Sequence, residues 1–311
     1  MALTLLEASK IAFNEGRVKD AAIIKQYADS SAILDRLPFR DIAGSALSYN
    51  REETMPGIGF RGVNEAYSES TGVVNPQTET LAIAGGDLDV DKFLLQTMGA
   101  DTRDAQEMMK VRALSLSWTN TFINGDTTTA PKEFDGLKKR LTGTQLVDAG
   151  ATSGGDALSL EKLDELIDQV GDPGGLILNK TMRRRLTQAS RSTSIGGFIT
   201  TEQDDFGRQI EMYSGIPLLV IDEDNERNKI LPFTEDNPGG GSPASTSIYC
   251  VSMGEMRLMG IQNQGIMVTD LGEQDAKPVF RTRVEWYSGF AIFDGRAAAR
   301  LQGITDAAVT A

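Results

Sequence analysis

The sequence has 311 residues, of which 40% are hydrophobic, and its 31 Lys and Arg against 44 Asp and Glu give a formal net charge of −13. Its length supplies a core for one large domain or two smaller ones. The absence of histidine excludes an imidazole base, a histidine metal ligand and a histidine pH switch. The acidic balance also argues against nucleic-acid binding by the whole chain, because phosphate neutralisation requires clustered Lys and Arg.

Within residues 1–45, the first 35 or so carry scattered apolar positions that predict short amphipathic helices with patchy periodicity. We expect an N-terminal arm here whose partners lie on other subunits. The start of the chain has no basic region followed by a long apolar stretch. No run in the sequence reaches the roughly 18 apolar residues of a membrane span. We therefore expect a soluble, cytosolic chain.

Residues 46–86 are polar, glycine-rich and poor in large aliphatic side chains. Leu47 and Tyr49, and later Leu81 and Ile83, alternate with smaller or polar residues, which predicts two strands. Two prolines and several glycines between them predict a long open loop. A loop of this length is improbable inside a compact domain unless it is disordered or functional. We therefore expect a two-stranded arm that projects onto a neighbouring subunit.

Residues 86–95 alternate between apolar and polar side chains, which predicts a strand. The spacing of Asp87, Asp89 and Asp91 also raises the possibility of a calcium loop. That loop needs a turn glycine at the position held by Lys92. The sequence therefore favours three carboxylates that line one solvated face of a strand.

The longest predicted helix spans residues 101–124 and ends at Asn124 and Gly125, a typical C-terminal pair. Two apolar stripes run along it, one formed by Met108, Val111, Leu114, Trp118 and Phe122 and the other by Met109, Ala113, Leu116 and Ile123. Such a wide apolar surface predicts packing on more than one side.

The region after Pro131 alternates between predicted strands and helices, which indicates a mixed α+β domain. The predicted elements are a helix capped by Ser159 with an apolar face that reaches Val170, a strand at 176–178, a helix capped by Asn179, a strand at 215–222, and strands between 247 and 293.

Catalytic motifs are missing from the sequence, which has no nucleophile elbow, Walker A loop or dinucleotide fingerprint. Cys250 is predicted to be a buried strand residue, because no histidine is present to activate it. Arg183, Arg184 and Arg185 lie on a predicted helix, where consecutive residues point about 100° apart and do not form one compact site. We expect no catalytic, cofactor-binding or metal-binding residues and no cofactor. The chain is therefore predicted not to be an enzyme.

One alternative to that conclusion is a metal-dependent enzyme built around the acidic run that includes Asp222, Asp224 and Glu226. A solvated turn after a strand is the commoner structure for such a run.

The order of these elements resembles the major capsid protein of tailed bacteriophages, whose Hong Kong ninety-seven type fold encapsulin shells share. The segments that carry the resemblance are Phe122-Ile-Asn-Gly-Asp126 followed by Phe134-Asp-Gly-Leu-Lys138, Gly174-Gly-Leu-Ile-Leu-Asn-Lys-Thr-Met-Arg-Arg-Arg-Leu186, Gly215-Ile-Pro-Leu-Leu-Val220, Arg281-Thr-Arg-Val-Glu-Trp286 and Ala297-Ala-Ala-Arg-Leu301. Each segment alone is weakly specific, and their order and spacing together cover nearly the whole chain.

The resemblance implies an α+β fold with five regions: an N-terminal arm (1–45), an extended E-loop hairpin (46–86), a P-domain with the spine helix (87–133), an A-domain (134–255), and C-terminal strands that return to the P-domain (256–311). It further implies a structural protein of the virion, assembled in the host bacterial cytoplasm, whose hexamers and pentamers form an icosahedral head. This head would enclose double-stranded DNA without sequence-specific binding and without a membrane. Separate scaffolding, portal and decoration proteins are possible partners, and an encapsulin-like compartment shell is the alternative.

The E-loop is then the predicted contact between subunits. Its expected contact residues are Arg51, Met55, Ile58, Phe60 and Arg61, and its expected hinges, which bend as the shell expands, are Gly57, Gly59 and Gly62. Some members of the family crosslink an E-loop lysine to a neighbouring asparagine. Residues 51–91 contain no lysine, so this crosslink is not expected here. The chain also lacks a long charged scaffolding segment at its start, which implies a separate scaffolding protein or an already processed sequence.

Overall fold

The computed structural model describes residues 2–16, 18–99, 101–191, 199–203 and 209–310. The helices of this part of the chain are α1 (Leu5–Asn14), α2 (Val18–Asp29), α3 (Lys92–Met98), α4 (Asp101–Asn124), α5 (Leu137–Arg140), α6 (Leu160–Asp168) and α7 (Lys180–Ser190). Its strands are β1 (Leu3–Thr4), β2 (Pro38–Asp41), β3 (Ala46–Thr54), β4 (Val73–Thr80), β5 (Ala82–Asp91), β6 (Leu146–Asp148), β7 (Gly175–Asn179), β8 (Ile199–Gln203), β9 (Gln209–Tyr213), β10 (Ile216–Ile221), β11 (Thr246–Val251), β12 (Leu258–Glu273), β13 (Val279–Ile292) and β14 (Ala298–Ile304).

Three sheets organise these strands. A five-stranded sheet has the order β1-β2-β12-β13-β5, and a seven-stranded sheet has the order β6-β14-β11-β7-β10-β9-β8. The third sheet is a hairpin of β3 and β4 alone. The predicted α+β class is therefore confirmed.

The long helix α4 has the predicted bounds and packs on more than one side. On one side the Trp118 indole Nε1 donates a hydrogen bond to Ser288 Oγ in β13 at 3.0 Å. On another, Ser115 Oγ donates to the carbonyl oxygen of Tyr27 in α2 at 3.1 Å. Burial is more extensive toward its C-terminal end, since Met108 and Met109 are about half or more exposed whereas Phe122 and Ile123 are fully buried.

An aromatic cluster forms the centre of the core between α4 and the five-stranded sheet. The ring centroids of Trp118 and Trp286 lie 5.6 Å apart, and Phe122 stacks on Trp118 at 5.2 Å. Tyr27 meets the edge of Trp286 at 5.0 Å. Because Trp286 Nε1 donates to Gln262 Oε1 at 3.0 Å, its buried polar group has a partner.

The seven-stranded sheet has an apolar layer on each face. One face joins the aromatic core through residues such as Tyr249 and Leu219, and the other is covered by α6 and α7. Asn179 caps α7 as predicted, with its side-chain oxygen accepting a hydrogen bond from the Met182 amide at 2.8 Å. Cys250 is fully buried in β11 as predicted, and burial raises the pKa of its thiol to about 12.

The N-terminal region differs from the expected arm, because α2 and the turn after it pack against their own chain. Tyr27, Ile33, Leu34 and Leu37 are fully buried in the aromatic core. Thr119 Oγ1 of α4 also lies 2.8 Å from Ser31 Oγ. The apolar periodicity of this part of the sequence is patchy because many of its buried residues lie in the turn after α2, which has no helical spacing. Contacts of this region with other subunits stay a prediction.

The expected strand at 86–95 is wrong at its C-terminal end, and the second hairpin strand ends earlier than expected. Strand β5 ends at Asp91, whose carboxylate accepts a hydrogen bond from the Phe93 amide at 2.8 Å and starts α3. Ile83 belongs to β5 and pairs with Tyr287 of β13, so it lies in the five-stranded sheet. Only Leu81 separates β4 from β5, and its amide donates to the carbonyl oxygen of Ser45 at 2.9 Å.

The C-terminal strands divide between the two large sheets. Strands β12 and β13 pair with each other in the five-stranded sheet. Strand β14 instead enters the seven-stranded sheet between β6 and β11. Its residues Ala298, Ala299 and Leu301 are fully buried there. Strand β14 therefore links the C-terminal segment to the sheet of the predicted A-domain.

Candidate assembly interface

The hairpin β3–β4 is an exposed segment at the edge of the molecule. Its strands pair from Ala46 with Thr80 to Thr54 with Val73. Pro76 lies within β4 opposite Asn50, and a proline is tolerated in a strand that has a free edge. The connection between the strands, residues 55–72, has neither helix nor strand. We call these residues the hairpin tip.

The base of the hairpin is fixed to its own subunit by polar contacts. Glu79 of β4 forms a bidentate pair with Arg140 of α5, with oxygen–nitrogen distances of 2.5 and 2.7 Å, and both side chains are largely buried. Tyr49 donates a hydrogen bond to the carbonyl oxygen of Ile292 at 3.1 Å and packs on the Phe293 ring at 4.4 Å. Burial and the charge of Glu79 raise the pKa of Tyr49. These contacts set the direction in which the hairpin leaves the body.

The hairpin tip makes mostly polar contacts with itself. The Gly57 amide donates to Ser70 Oγ at 2.7 Å, and the Gly62 amide donates to the Glu65 carboxylate at 2.8 Å. Arg61 donates to the carbonyl oxygen of Glu65 at 3.2 Å and lies 5.0 Å from the centre of the Tyr67 ring. The tip is thus closed by hydrogen bonds without an apolar core of its own.

Large apolar side chains of the hairpin tip are exposed to solvent. Met55 is 82% exposed, Ile58 93% and Phe60 105%, and Val63 and Tyr67 are also exposed. Several exposed large apolar side chains within one short segment are typical of an interaction site. The structure thus places three of the predicted contact residues in solvent and outside the apolar core.

The other predicted E-loop residues occupy different positions. Arg61 lies in the tip. Arg51 lies in β3, and its guanidinium group reaches Gly295 on the body of the subunit: a Cβ atom built on that glycine would lie 3.0 Å from Arg51 Nη2. The predicted hinges Gly57, Gly59 and Gly62 lie in the tip, and none of them has a positive φ. A Cβ at Gly59 would come no nearer than 3.7 Å to Ser68, so the subunit does not itself require glycine there. The intersubunit and hinge roles of all these residues stay predictions.

The three aspartates of β5 have partners other than a metal ion. Asp87 pairs with Arg283 and Asp89 with Arg281 across the β5–β13 ladder, each with a closest distance of 2.6 Å, while Asp91 caps α3. The arginine hydrogen bonds hold the pKa of both paired aspartates below its usual value. This arrangement explains the carboxylate spacing as cross-strand ion pairs on one face of the sheet.

The acidic run after β10 forms a hydrogen-bonded turn. Asp224 accepts hydrogen bonds from the amides of Glu226 and Asn228 at 2.8 and 2.9 Å. Asp222 pairs with Lys180 at 2.5 Å. Among the residues that the structure describes, no group of three His, Cys, Asp or Glu side chains is arranged to hold a metal ion. The described contacts favour the solvated-turn interpretation of this run.

Two of the three consecutive arginines of α7 have different partners, which agrees with their predicted helical spacing. Arg185 pairs with Asp306 at 2.7 Å, and Arg183 lies 4.0 Å from Glu211.

Within the described chain, none of the helices is long and apolar enough to cross a membrane.

Two features of the interface were not found from the sequence. The pair between Glu79 and Arg140 joins residues far apart in the chain, and no local pattern signals it. The sequence pattern predicts a strand where α3 begins, so it gives no sign that Phe93 and Met98 are exposed on a helix. A capping aspartate at 91, followed by apolar residues at helical spacing, was the available signal.

The two large sheets, the long helix and the projecting hairpin together form a fold of the Hong Kong ninety-seven type. No protein-family model and no curated protein matches the sequence. Three solved structures illustrate the likeness in fold. The holo-SrpI encapsulin complex from Synechococcus elongatus PCC 7942 is 17% identical, with a TM-score of 0.63 over 90% of this chain and 89% of that chain.

The other two structures come from a GTA particle and from a phage. The capsid of a native GTA particle is 15% identical, with a TM-score of 0.61 over 88% of this chain and 90% of that chain. A structure of Microbacterium phage Oxtober96 is 12% identical, with a TM-score of 0.62 and the same coverage of 88% and 90%. At these identities the likeness shows the fold, which the sequence resemblance had implied.

Proposed function

We propose that this chain is the major capsid protein of a tailed bacteriophage. Its copies assemble into hexamers and pentamers of an icosahedral head that encloses double-stranded DNA. The observation that carries the proposal is the hairpin tip, which exposes Met55, Ile58 and Phe60 on a fold similar to that of phage and GTA capsids. Those side chains become buried when the hairpin lies on an adjacent copy.

Assembly on this account depends on the sum of many modest contacts. Closed symmetric shells repeat each contact in every subunit, so a weak single interface gives a strongly held whole. The predicted contacts are the three apolar tip residues together with Arg51 and Arg61. The hairpin base, fixed by Glu79 and Arg140, directs the tip outward before any neighbour binds.

The remaining elements of the proposal follow from this structural role. The chain carries out no reaction, assembles in the host bacterial cytoplasm and becomes part of the virion. Scaffolding, portal and decoration proteins are separate partners. The net charge of −13 gives a weakly repulsive inner wall, along which packed DNA slides without sequence-specific binding. A strongly positive potential measured on the inner face of the shell would contradict this last point.

Negative-stain electron microscopy of the purified chain tests the proposal. We expect closed shells or capsomer rings. A chain that stays a monomer at high protein concentration, with the hairpin tip packed on its own body, would exclude the proposed function.

An encapsulin-like compartment with a protein cargo is the second candidate. The specific observation in its favour is the likeness to the holo-SrpI encapsulin complex over 90% of this chain. Shells isolated from the native source distinguish the two candidates by their contents. Packaged DNA, and neighbouring genes for a terminase and a portal, support the capsid, whereas a single enriched cargo protein supports the compartment.

The glycines of the hairpin tip supply the bending that shell expansion requires. The lone subunit has room, or nearly enough room, for a Cβ atom at Gly57, Gly59 and Gly62. The backbone freedom of these glycines therefore matters in a different conformation of the hairpin, the one adopted during expansion. Replacing all three by alanine should leave the subunit folded and impair expansion of assembled particles. Normal assembly and expansion of the triple variant, followed by electron microscopy, would count against the hinge role.

A further inference from the structure

Helix α5 is a single turn in which three consecutive residues are basic, Lys138, Lys139 and Arg140. Successive residues of a helix point about 100° apart, so the three side chains leave one short unit in different directions. Each of them has a carboxylate partner, and the partners belong to three different parts of the subunit. Helix α5 is therefore placed where these three parts meet.

The first partner connects α5 to the seven-stranded sheet. Lys138 lies 3.2 Å from the buried carboxylate of Glu235. That carboxylate also pairs with Arg300 of β14 at 2.9 Å and accepts a hydrogen bond from the Ser247 hydroxyl of β11. Because β11 and β14 are neighbours within the seven-stranded sheet, a movement of this sheet carries Glu235 with it.

The second set of partners holds α5 against the end of α4. Lys139 lies 2.6 Å from Asp126 and 2.9 Å from Asp135, both in the connection between the two helices. The hydrogen bond from Lys139 holds the pKa of Asp126 well below its usual value, so this pair stays ionised at neutral pH. Gly136 allows the close approach, since a Cβ built on it would lie 2.6 Å from the carbonyl oxygen of Ile123.

The third partner is Glu79 at the hairpin base, which forms the bidentate pair with Arg140. The same guanidinium lies 4.3 Å from the centre of the Phe290 ring in β13, and its Nε donates to the carbonyl oxygen of Asp135 at 2.6 Å. Both charges of the pair are largely buried. The position of the hairpin base therefore depends on where α5 holds this guanidinium.

Backbone hydrogen bonds join the residues of α5 into one unit. The Arg140 amide donates to the carbonyl oxygen of Gly136 at 3.1 Å, and the Leu141 amide donates to that of Leu137 at 3.0 Å. Leu137 is fully buried in the aromatic core and fixes the first residue of the turn. Lys138 and Arg140 are two residues apart on this unit, so a tilt that follows one side chain also displaces the other.

We propose that α5 couples the seven-stranded sheet to the hairpin, with Lys138 as its connection to the sheet and Arg140 as its connection to the hairpin. A shift of the seven-stranded sheet relative to the five-stranded sheet tilts α5 and changes the direction in which the hairpin leaves the body. Any contact that restrains the seven-stranded sheet thereby also restrains the hairpin. The coupling operates within one subunit and does not depend on the proposed function.

Hydrogen exchange of the dissociated subunit, followed by mass spectrometry, tests the coupling through the amides of the hairpin base, residues 46–50 and 77–80. The variant Lys138→Gln removes the connection to the sheet, while Arg300 and Ser247 still hold the Glu235 carboxylate, so the subunit should stay folded. We expect the hairpin-base amides to exchange at least about fivefold faster, which is the lower end of typical coupling between two sites.

Two control variants separate this coupling from a general loss of charge or stability. Lys132→Gln removes an exposed charge from the connection before α5 and should exchange like the wild type. Lys138→Arg keeps a positive charge that can reach Glu235 and should also exchange like the wild type. An exchange rate in Lys138→Gln equal to that of the wild type, or equal acceleration by Lys132→Gln, would overturn the coupling.

The double variant Glu79→Gln with Lys138→Gln tests whether both side chains act through α5. If they do, its hairpin-base amides exchange no faster than those of Glu79→Gln alone, because the hairpin is already released from α5. Two independent contacts would instead give effects that multiply in the double variant, and that result would exclude α5 as the connection.

Discussion

The aromatic core and the hairpin tip contain similar side chains in opposite circumstances. Trp118 and Trp286 lie against each other within one subunit, and each indole N–H has a hydrogen-bond acceptor. Phe60 and Tyr67 are exposed, and the tip around them is closed mostly by polar contacts. The difference shows that one chain carries two kinds of apolar surface, of which the first folds the subunit and the second is available to join subunits.

The hairpin base lies between these extremes. The Glu79–Arg140 pair and the Tyr49 hydroxyl belong to the subunit, yet they position a segment that has no core of its own. The subunit thus fixes where the hairpin points and leaves its tip exposed.

The largest effect on the subunit is expected at the core. Replacing Trp286 by alanine removes a fully buried indole and leaves the amide oxygen of Gln262 without its donor. We expect the free energy of unfolding of the dissociated subunit to fall by about 3–5 kcal/mol, measured by denaturant titration. A loss below about 1 kcal/mol would mean that this cluster does not hold the fold.

The next largest loss of unfolding free energy is expected at Glu235. Its buried carboxylate lies 2.9 Å from Arg300 and 3.2 Å from Lys138. Burial opposes its ionisation, but the charge of Arg300, the Ser247 hydroxyl and Lys138 together hold its pKa below the usual glutamate value. The stabilisation is therefore present above about pH 4.5 and is lost as the pH falls through the lowered pKa.

The variant Glu235→Gln tests this pH dependence. It should lower the free energy of unfolding by about 2–3 kcal/mol at neutral pH. Because the variant has no carboxylate at this position, the difference from the wild type should shrink as the pH falls below 4.5. A difference that is constant from neutral to acidic pH would exclude the ion pair as its cause.

A smaller effect is expected at the hairpin base. Replacing Glu79 by glutamine weakens the bidentate pair with Arg140 and should cost about 1–2 kcal/mol of unfolding free energy. The loosened hairpin should also be cut faster by a protease in the dissociated subunit. Glu69→Gln, in the exposed tip, is the matched control and should change neither measurement. Equal cleavage of both variants would show that the base does not direct the hairpin.

The smallest effect on the subunit, and the largest on assembly, is expected at the tip. Replacing Phe60 by alanine should change the unfolding free energy by no more than about 0.5 kcal/mol, because the side chain is exposed. The same change should raise the protein concentration needed for shell formation, followed by light scattering. A large loss of subunit stability would mean that the tip packs on its own body in solution.

Local sequence patterns predicted the parts of the fold that depend on local structure. The helix 101–124 and the Asn179 cap follow from apolar spacing and capping chemistry, and both are confirmed. The exposure of Met55, Ile58 and Phe60 likewise follows from apolar residues set in a glycine-rich loop. A pattern that extends over only a few residues was enough in each case.

The rest of the fold depends on contacts between distant segments. Strand β14 joins the seven-stranded sheet by pairing with β11 and β6, and its sequence does not say which sheet it enters. Glu79 and Arg140 are likewise brought together only by the complete fold. The start of α3 was hidden because the alternation of β5 continues up to the capping Asp91, where the chain changes from strand to helix.

Electron cryomicroscopy of shells assembled from the purified chain tests whether the hairpin tip joins subunits. We expect the side chains of Met55, Ile58 and Phe60, exposed in the lone subunit, to be covered by a neighbouring copy in the shell. A shell in which these three side chains remain in solvent would contradict it.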